Sequence, residues 1–502
     1  MRVFHRIRAV RHSVSGRIGG SMKNISISEY LRSIGYTPPK DAVYVHINEW
    51  MEWYQGDVEK FHKYKIFNGT VTKEEHRNQL GMAKKVAEDW ANLILNEKVA
   101  IKAGSFDNRL NKILEWNNFR VKGNQLIELS YALGTGAFVE YQKDGQVVID
   151  YIRADMIRPI SWDCGRITEC AFGSYCVEYG RESIYLQIHR KGKQEDGEKP
   201  DIYYIENRYV DVESGTEMEN RKDVLPVIDT GSAIPLFQII TPNICNNIDM
   251  DSPMGVSVFA NAIDQIKGCD LVYDSYINEF VLGKKRILVP LTLARMQMQK
   301  DGVTAPVFDP EDNIYYSMPA DRQDENKLVE IDMKIRAQEH ELAIQRALDL
   351  CSFKCGLGTG RFQFQSSGVK TATEIISDKS DLYQNLRKNE LSVKDAIIAL
   401  VKAVSFLDGN GEVEATVDFD DSIIEDGNAT IDRNIKLVQA GLRSKLAAIM
   451  EINKCSEKEA GKELQLIADE SQITAQDVDW TQGDEDDPDK QKPDDDAEES
   501  VR

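Results

Sequence analysis

At 502 residues the chain is longer than one hydrophobic core serves, and 41% hydrophobic with 29% charged residues is the composition of a soluble, folded protein of several parts. Its formal net charge of -21 disfavours a surface that grips nucleic acid throughout, because tight binding needs Lys and Arg to neutralise phosphates. No apolar run approaches the roughly 18 residues of a membrane span, and eight scattered cysteines without CxxC pairs fit reduced intracellular thiols better than a disulfide frame.

Residues 1–21 carry Arg2, Arg6, Arg8, Arg11 and Arg17 but lack the apolar stretch and small-residue cleavage site of a secretory signal. This basic arm is expected to be unfolded: a start-site artefact, a cleaved leader or an arm that touches nucleic acid. Met22 opens the first segment with a foldable pattern. The aromatic-rich stretch 48–68 reads as helix with a break at Gly56, and 73–96 reads as one amphipathic helix with Leu80, Ala83, Val86, Ala87, Trp90 and Ile94 on its apolar face. Helical patterns at 107–117 and 125–133 lead to Gly134 and Gly136, a turn into the strand-like segments 138–141, 147–152, 169–179, 184–189 and 202–209. Residues 235–247 read as loop, and Ser252 ahead of Pro253 reads as a helix cap.

The stretch 256–282 predicts a long helix in which Phe259, Ile263, Ile266, Tyr273, Ile277 and Phe280 fall at steps of three and four, with Asp270 interrupting the seam. Such a seam needs another helix. A second helix is expected over 331–353, with Ile335, Leu342 and Leu348 among charged residues. Between them, 286–329 reads as a small α/β insert: a strand at 286–289, a short helix near 291–300 and turns at 309–313. Two long helices bracketing an insert make a stalk with a head. Glycines at 356–360 then punctuate, and Thr371 to Glu374 open a very long helix reaching about Leu407. A strand at 413–419 and two or three helices over 432–470 close the folded part, and the tail beyond Trp480 is too acidic and apolar-poor to fold.

Motifs for catalysis are missing. The glycines at 356–360 lack the Gly-Lys-Ser/Thr ending of a phosphate loop and the spacing of a dinucleotide fingerprint, and neither HExxH nor GxSxG occurs. Cys164, Cys170 and Cys176 recur evenly but without the close pairing of structural zinc ligands, and Cys351 and Cys355 read as packing. Asp420 and Asp421 have no third carboxylate at helical or strand spacing, and the seven histidines form no close motif. We therefore assign no catalytic residue, metal or cofactor. A nuclease or helicase-like DNA-processing enzyme and a non-viral ring scaffold remain as alternative classes.

Several stretches, at these separations, resemble the portal proteins of tailed bacteriophages, of the branch common in siphophages and prophages of Gram-positive hosts. They are 53–56 (WYQG), 82–97 (MAKKVAEDWANLILNE), 133–137 (LGTGA), 252–264 (SPMGVSVFANAID), 279–287 (EFVLGKKRI) and 368–374 (GVKTATE), and the likeness covers nearly everything from Met22 to about Glu470.

The resemblance implies an α+β portal fold: a wing over 22–255, a first stem helix over 256–285, a clip over 286–329, a second stem helix over 330–353, a tunnel loop region over 354–370, a long wing helix and strand over 371–430, and a helical crown over 431–480. The basic arm 1–21 and the acidic tail 481–502 flank these parts. It also implies a ring, dodecameric when assembled, that forms the double-stranded DNA channel at one capsid vertex of the virion after assembly in the host cytoplasm. Its partners would be other copies of itself, double-stranded DNA, the large terminase subunit, the major capsid and scaffolding proteins and a head-to-tail adaptor, with no membrane. By position, Gln363, Gln365, Ser366, Ser367, Gly368 and Lys370 would form the loop closest to DNA, where uncharged polar groups touch phosphates without gripping them and glycine permits movement. Lys284, Lys285 and Arg286, where stem meets clip, would form either a basic ring in the channel or an outward solvated patch.

Overall fold

In a computed structural model of the chain, the described residues are 25–67, 69–178, 180–192, 201–220, 224–290, 296–298, 304–306, 315–318, 329–364, 372–419, 427–453 and 457–476. They fall into two compact units, Met1–Asp420 and Asp421–Arg502. The basic arm 1–21 and the acidic tail 481–502 lie outside the described residues.

The first unit opens with α1 (Ile27–Ser33), fixed by a reciprocal cap in which Ser26 and Glu29 each accept the other's backbone N–H. Next come α2 (Asp41–Gln55), a short α3 (Glu59–His62), and a hairpin of β1 (Lys63–Phe67) and β2 (Thr72–His76). Then follow α4 (Met82–Ile94), β3 (Ala100–Lys102), α5 (Asp107–Trp116) and α6 (Phe119–Leu133). The turn after Gly56 is left-handed, as a glycine allows. Two expectations change here. Residues 63–67 are strand, not the end of a helix, and the helix expected over 73–96 is split, because 72–76 pair with 63–67 and the following loop is tied down from outside.

Two sheets follow. Strands β4 (Gly136–Lys143) and β5 (Gln146–Arg153) form a hairpin, and β6 (Ile157–Asp163), β7 (Arg166–Glu178), β8 (Arg181–Gly192) and β9 (Ile202–Asp211) form an antiparallel meander. The short β10 (Glu217–Met218) and β11 (Val227–Asp229) both pair with β9, and β12 (Phe237–Ile240) pairs with β4. Apolar residues alternate along β7, β8 and β9, so one face of the meander is oily. Helix α1 covers it: Ile27, Tyr30 and Leu31 pack on Ala171, Ile184, Leu186, Ile188 and Val210.

The stalk comprises α7 (Ile263–Leu282) and α8 (Ala337–Lys354). Residues 251–259, expected to start the first stalk helix, are irregular, and a short 3-10 turn at Ala260–Ala262 precedes α7. Backbone crowding explains this. The chain crosses Gly134 at Gly255, where a β-carbon on Gly255 would sit 2.2 Å from the Gly134 carbonyl oxygen, and the Gly255 N–H donates to Thr135 Oγ1 at 3.0 Å. The insert contains β13 (Arg286–Pro290), β14 (Met296–Met298), β15 (Thr304–Pro306), β16 (Tyr315–Met318) and β17 (Val329–Ile331). Strand β13 pairs parallel with β16 and antiparallel with β17, while β14 pairs with β15, so Met296–Met298 is strand where a short helix is expected.

Helix α9 (Ala372–Leu407) buries Val393, Ile397, Leu400, Val401 and Val404, and β18 (Thr416–Asp418) pairs with β3. The second unit contains α10 (Gly427–Gln439), α11 (Lys445–Asn453) and α12 (Glu457–Gln476). Mixed helix and sheet is thus the class observed.

Candidate subunit interface and channel-facing residues

The stalk is organised by the three flanks of α7. On the first, one turn apart, sit Asp270 and Asp274, both buried. Asp270 Oδ2 lies 3.2 Å from His62 Nε2, and its Oδ1 accepts the Leu80 N–H at 2.7 Å. Asp274 Oδ1 accepts both the backbone N–H and the side-chain amide of Asn78, at 2.8 and 2.9 Å, and its Oδ2 accepts from Asn278. The carboxylate that interrupts the apolar seam is therefore an anchor that ties the base of the β1–β2 hairpin to the stalk.

The second flank faces α8. The Tyr276 ring lies 6.0 Å from that of His340, and Glu279 receives Arg336 through two side-chain bonds at 3.0 and 2.9 Å. The Arg336 guanidinium holds the Glu279 carboxyl down to about 2, with help from the Arg336 N–H and His340.

Between these flanks, spacing places Leu271, Ser275 and Leu282 on a third face, where both leucines are more than half exposed. Helix α8 has a matching feature. It turns His340, Leu348 and Cys351 inward, whereas Leu342, Arg346, Leu350 and Phe353 recur at steps of four, four and three on its outer side, and the three apolar members are more than half exposed. Neither row faces the other helix; the contact between the two helices runs through Tyr276, Glu279, Arg336 and His340.

Of the sequence-predicted seam, Phe259 and Ile266 are fully buried, Ile263, Tyr273 and Ile277 are half-buried, and Phe280 is exposed at the far end, its ring 5.0 Å from that of Tyr276. Among the basic residues at the stalk end, Lys284 is exposed, Lys285 pairs with Glu330, and Arg286 donates to the Leu282 carbonyl at 3.2 Å. These last two are thus engaged by their own subunit. Of the loop residues, Gln363 is exposed next to exposed Phe364; Gln365, Ser366, Ser367, Gly368 and Lys370 lie outside the described residues. The glycine turn ahead of this loop is ordered. Gly356, Gly358 and Gly360 all have left-handed backbones, Ser352 Oγ donates to the Gly358 carbonyl at 2.6 Å, and Asn385 donates to that of Gly356 at 3.0 Å.

Sequence reasoning missed the outer stripes of α7 and α8 and the role of His62. The α8 stripe has a signal, the 342, 346, 350, 353 spacing; the Asp270 partner has none, because it lies far away in the chain.

Titratable groups with displaced pKa values occur in ion-pair clusters, as at Tyr30, Glu206, Arg208 and Glu217, or singly in the core. His189 is buried between Phe172 and Phe237, its ring 5.4 Å from each, and burial pushes it down to about 3. Burial pushes the Glu140 carboxyl well above the usual range. A cleft of about 690 Å³ between α9 and the β6–β7 turn is lined by Cys164, Arg166, Gln238, Ser392, Asp395 and Lys402, and its Ser392 Oγ donates to the Thr241 carbonyl at 2.9 Å, not to a base. Among the described residues no group of three or more His, Cys, Asp or Glu is placed to hold a metal ion, and no helix is long and apolar enough to cross a membrane.

No curated protein matches the sequence. One matching solved structure, "Neck of native GTA particle computed with C12 symmetry", shares 12% identity over 85% of this chain and 99% of that chain, with a TM-score of 0.37. The model of the family described as "Phage portal protein, SPP1 Gp6-like" matches residues 38–477. That span takes in both stalk helices, the insert, the sheets and the helices of the second unit, and the chain belongs to the SPP1 Gp6-like family of phage portal proteins.

Proposed function

We propose that copies of this chain pack side by side into a closed ring that encloses double-stranded DNA at one capsid vertex, for genome packaging, retention and ejection. The observation that carries this reading is the stalk with exposed apolar side chains on both helices, Leu271 and Leu282 on α7 and Leu342, Leu350 and Phe353 on α8. A stripe of exposed leucines is costly in water. If the α7 stripe of one subunit meets the α8 stripe of the next, the contact joins two different surfaces, and contacts of that kind close into rings when the rotation allows.

On this reading α7 and α8 are the stem, 286–329 the clip, 22–255 with 371–430 the wing, and the α10 to α12 helices belong to the crown. The clip would meet the large terminase subunit and later the head-to-tail adaptor, and the outer parts would meet capsid and scaffolding proteins. Portal proteins are structural, so the energy for DNA movement comes from a separate ATPase. Residues 363–370 would form the collar on DNA. The formal charge of -21 suits a conduit that must let DNA slide, since a strongly basic wall would hold phosphates by counterion release.

The test is the native mass of the purified chain. The reading predicts a single large oligomer that falls to monomer when Leu342 and Leu350 are both changed to Asp. A monomeric wild-type protein at every concentration would contradict it.

A further inference from the structure

The β1–β2 hairpin pairs with no other strand among the described residues. Every residue of β2 is exposed, and in β1 only Tyr64 is half-buried. Near the tip Phe67 is 67% exposed and Ile66 is close to half exposed. A lone two-stranded hairpin is marginal in water, and an apolar tip adds to the cost of leaving it bare.

Its base, in contrast, is rigid. The Arg77 guanidinium lies 4.4 Å from the Phe61 ring centre and 5.0 Å from that of Tyr64, and its Nη1 donates to the Phe61 carbonyl at 2.6 Å. His62 stacks on His76 at 5.9 Å, and the Arg77 N–H donates to the His62 carbonyl at 2.7 Å. Asp270 and Asp274 then bolt this base to α7. A firm root with a bare apolar tip is an arm held ready for a partner.

The root also fixes where the arm stands. Asp270 and Asp274 occupy the flank of α7 next to the exposed Leu271, Ser275 and Leu282, so the root of the arm lies beside that face. Along 63–76 three lysines stand against two glutamates, in a chain whose formal charge is -21. The arm is thus slightly basic and every other copy is strongly acidic.

We infer that the 63–76 arm clasps the adjacent copy of this chain, its Ile66 and Phe67 tip packing on apolar side chains of that copy beside the stalk contact. The inference rests on the ring reading. It assigns the arm to subunit joining instead of to a capsid or motor protein.

The test places photoreactive p-benzoylphenylalanine at Phe67 in the full chain, assembles the protein from equal amounts of ¹⁴N- and ¹⁵N-labelled material, and irradiates it. Covalent adducts joining peptides of different label are expected. Intact rings whose adducts never join two copies would overturn the inference and leave the ring standing, whereas absence of rings before irradiation would overturn the ring reading itself. The double change Ile66→Ser and Phe67→Ser provides a second readout. It is expected to raise the concentration for half-assembly by about tenfold or more with an unchanged urea midpoint, and an unchanged half-assembly concentration would count against the arm.

Discussion

Asp270 Oδ2 stands 3.2 Å from His62 Nε2, with both side chains buried, and this pair joins the stalk to a segment some two hundred positions earlier in the chain. The same carboxylate caps the Leu80 N–H just before α4 begins. One residue therefore sets both the angle of the arm and the start of the next helix. Changing Asp270 to Ala leaves a buried ring nitrogen and a half-buried amide without an acceptor, and a fully buried loss of this kind costs on the order of 1–3 kcal/mol. Urea unfolding of Asp270→Ala is expected to show a loss of about 3 kcal/mol, with a smaller loss in Asp270→Asn, which keeps an acceptor for Leu80. Equal stability of all three proteins would contradict the anchor.

Glu279 and Arg336 give a pH signature. The carboxyl is held down to about 2 by the Arg336 hydrogen bonds, below the 4.5 of a free glutamate. A depressed carboxylate pKa means the unfolded chain takes up the proton first as pH falls, so the contribution is complete above about pH 5 and is lost towards pH 2. The thermal midpoint of the wild type should exceed that of Glu279→Gln at neutral pH, and the two should converge as pH falls from 5 to 2. A gap that stays constant over this range would remove the ion pair from the account.

The stalk leucines and the buried seam should respond oppositely. Leu350→Asp alters a side chain exposed in the subunit, so subunit stability should change by no more than about 0.5 kcal/mol, while oligomer mass collapses. Phe259→Asp places a carboxylate in a fully buried position, which costs several kcal/mol by the order of magnitude for burying polar groups, so the subunit itself should unfold. Denaturant midpoints combined with native mass separate the two. Intact oligomers of Leu350→Asp would show that the α8 stripe is covered by something other than a neighbouring copy.

Replacement of 363–370 by a short glycine linker should leave assembly intact and impair DNA packaging or retention, read as the length of packaged DNA and as infectivity. Packaged length and infectivity equal to wild type would refute the collar assignment.

Much of the architecture is legible along the chain, because periodicity reports which face of an element is oily. The two stalk helices, the sheet segments and the long α9 announce themselves in this way. What escapes is set by contacts between distant residues. Residues 73–76 have a helical neighbourhood but pair as strand with 63–66, and 256–259 continue a helical pattern yet run irregular after Gly255 is pressed against Gly134. Asp270 is visible as an interruption of the seam; that it faces His62 is not, since no local spacing links the two. The spacing of Leu342, Leu350 and Phe353 is visible, but that this row is bare is not, because an apolar residue looks the same in sequence whether its partner is in its own chain or in the next.

The ring itself is tested most directly by electron imaging of the concentrated, purified chain in negative stain. Annular particles of uniform diameter with a central hole wide enough for a DNA duplex are predicted. A field of compact particles without a hole, unchanged on concentration, would contradict the proposed channel.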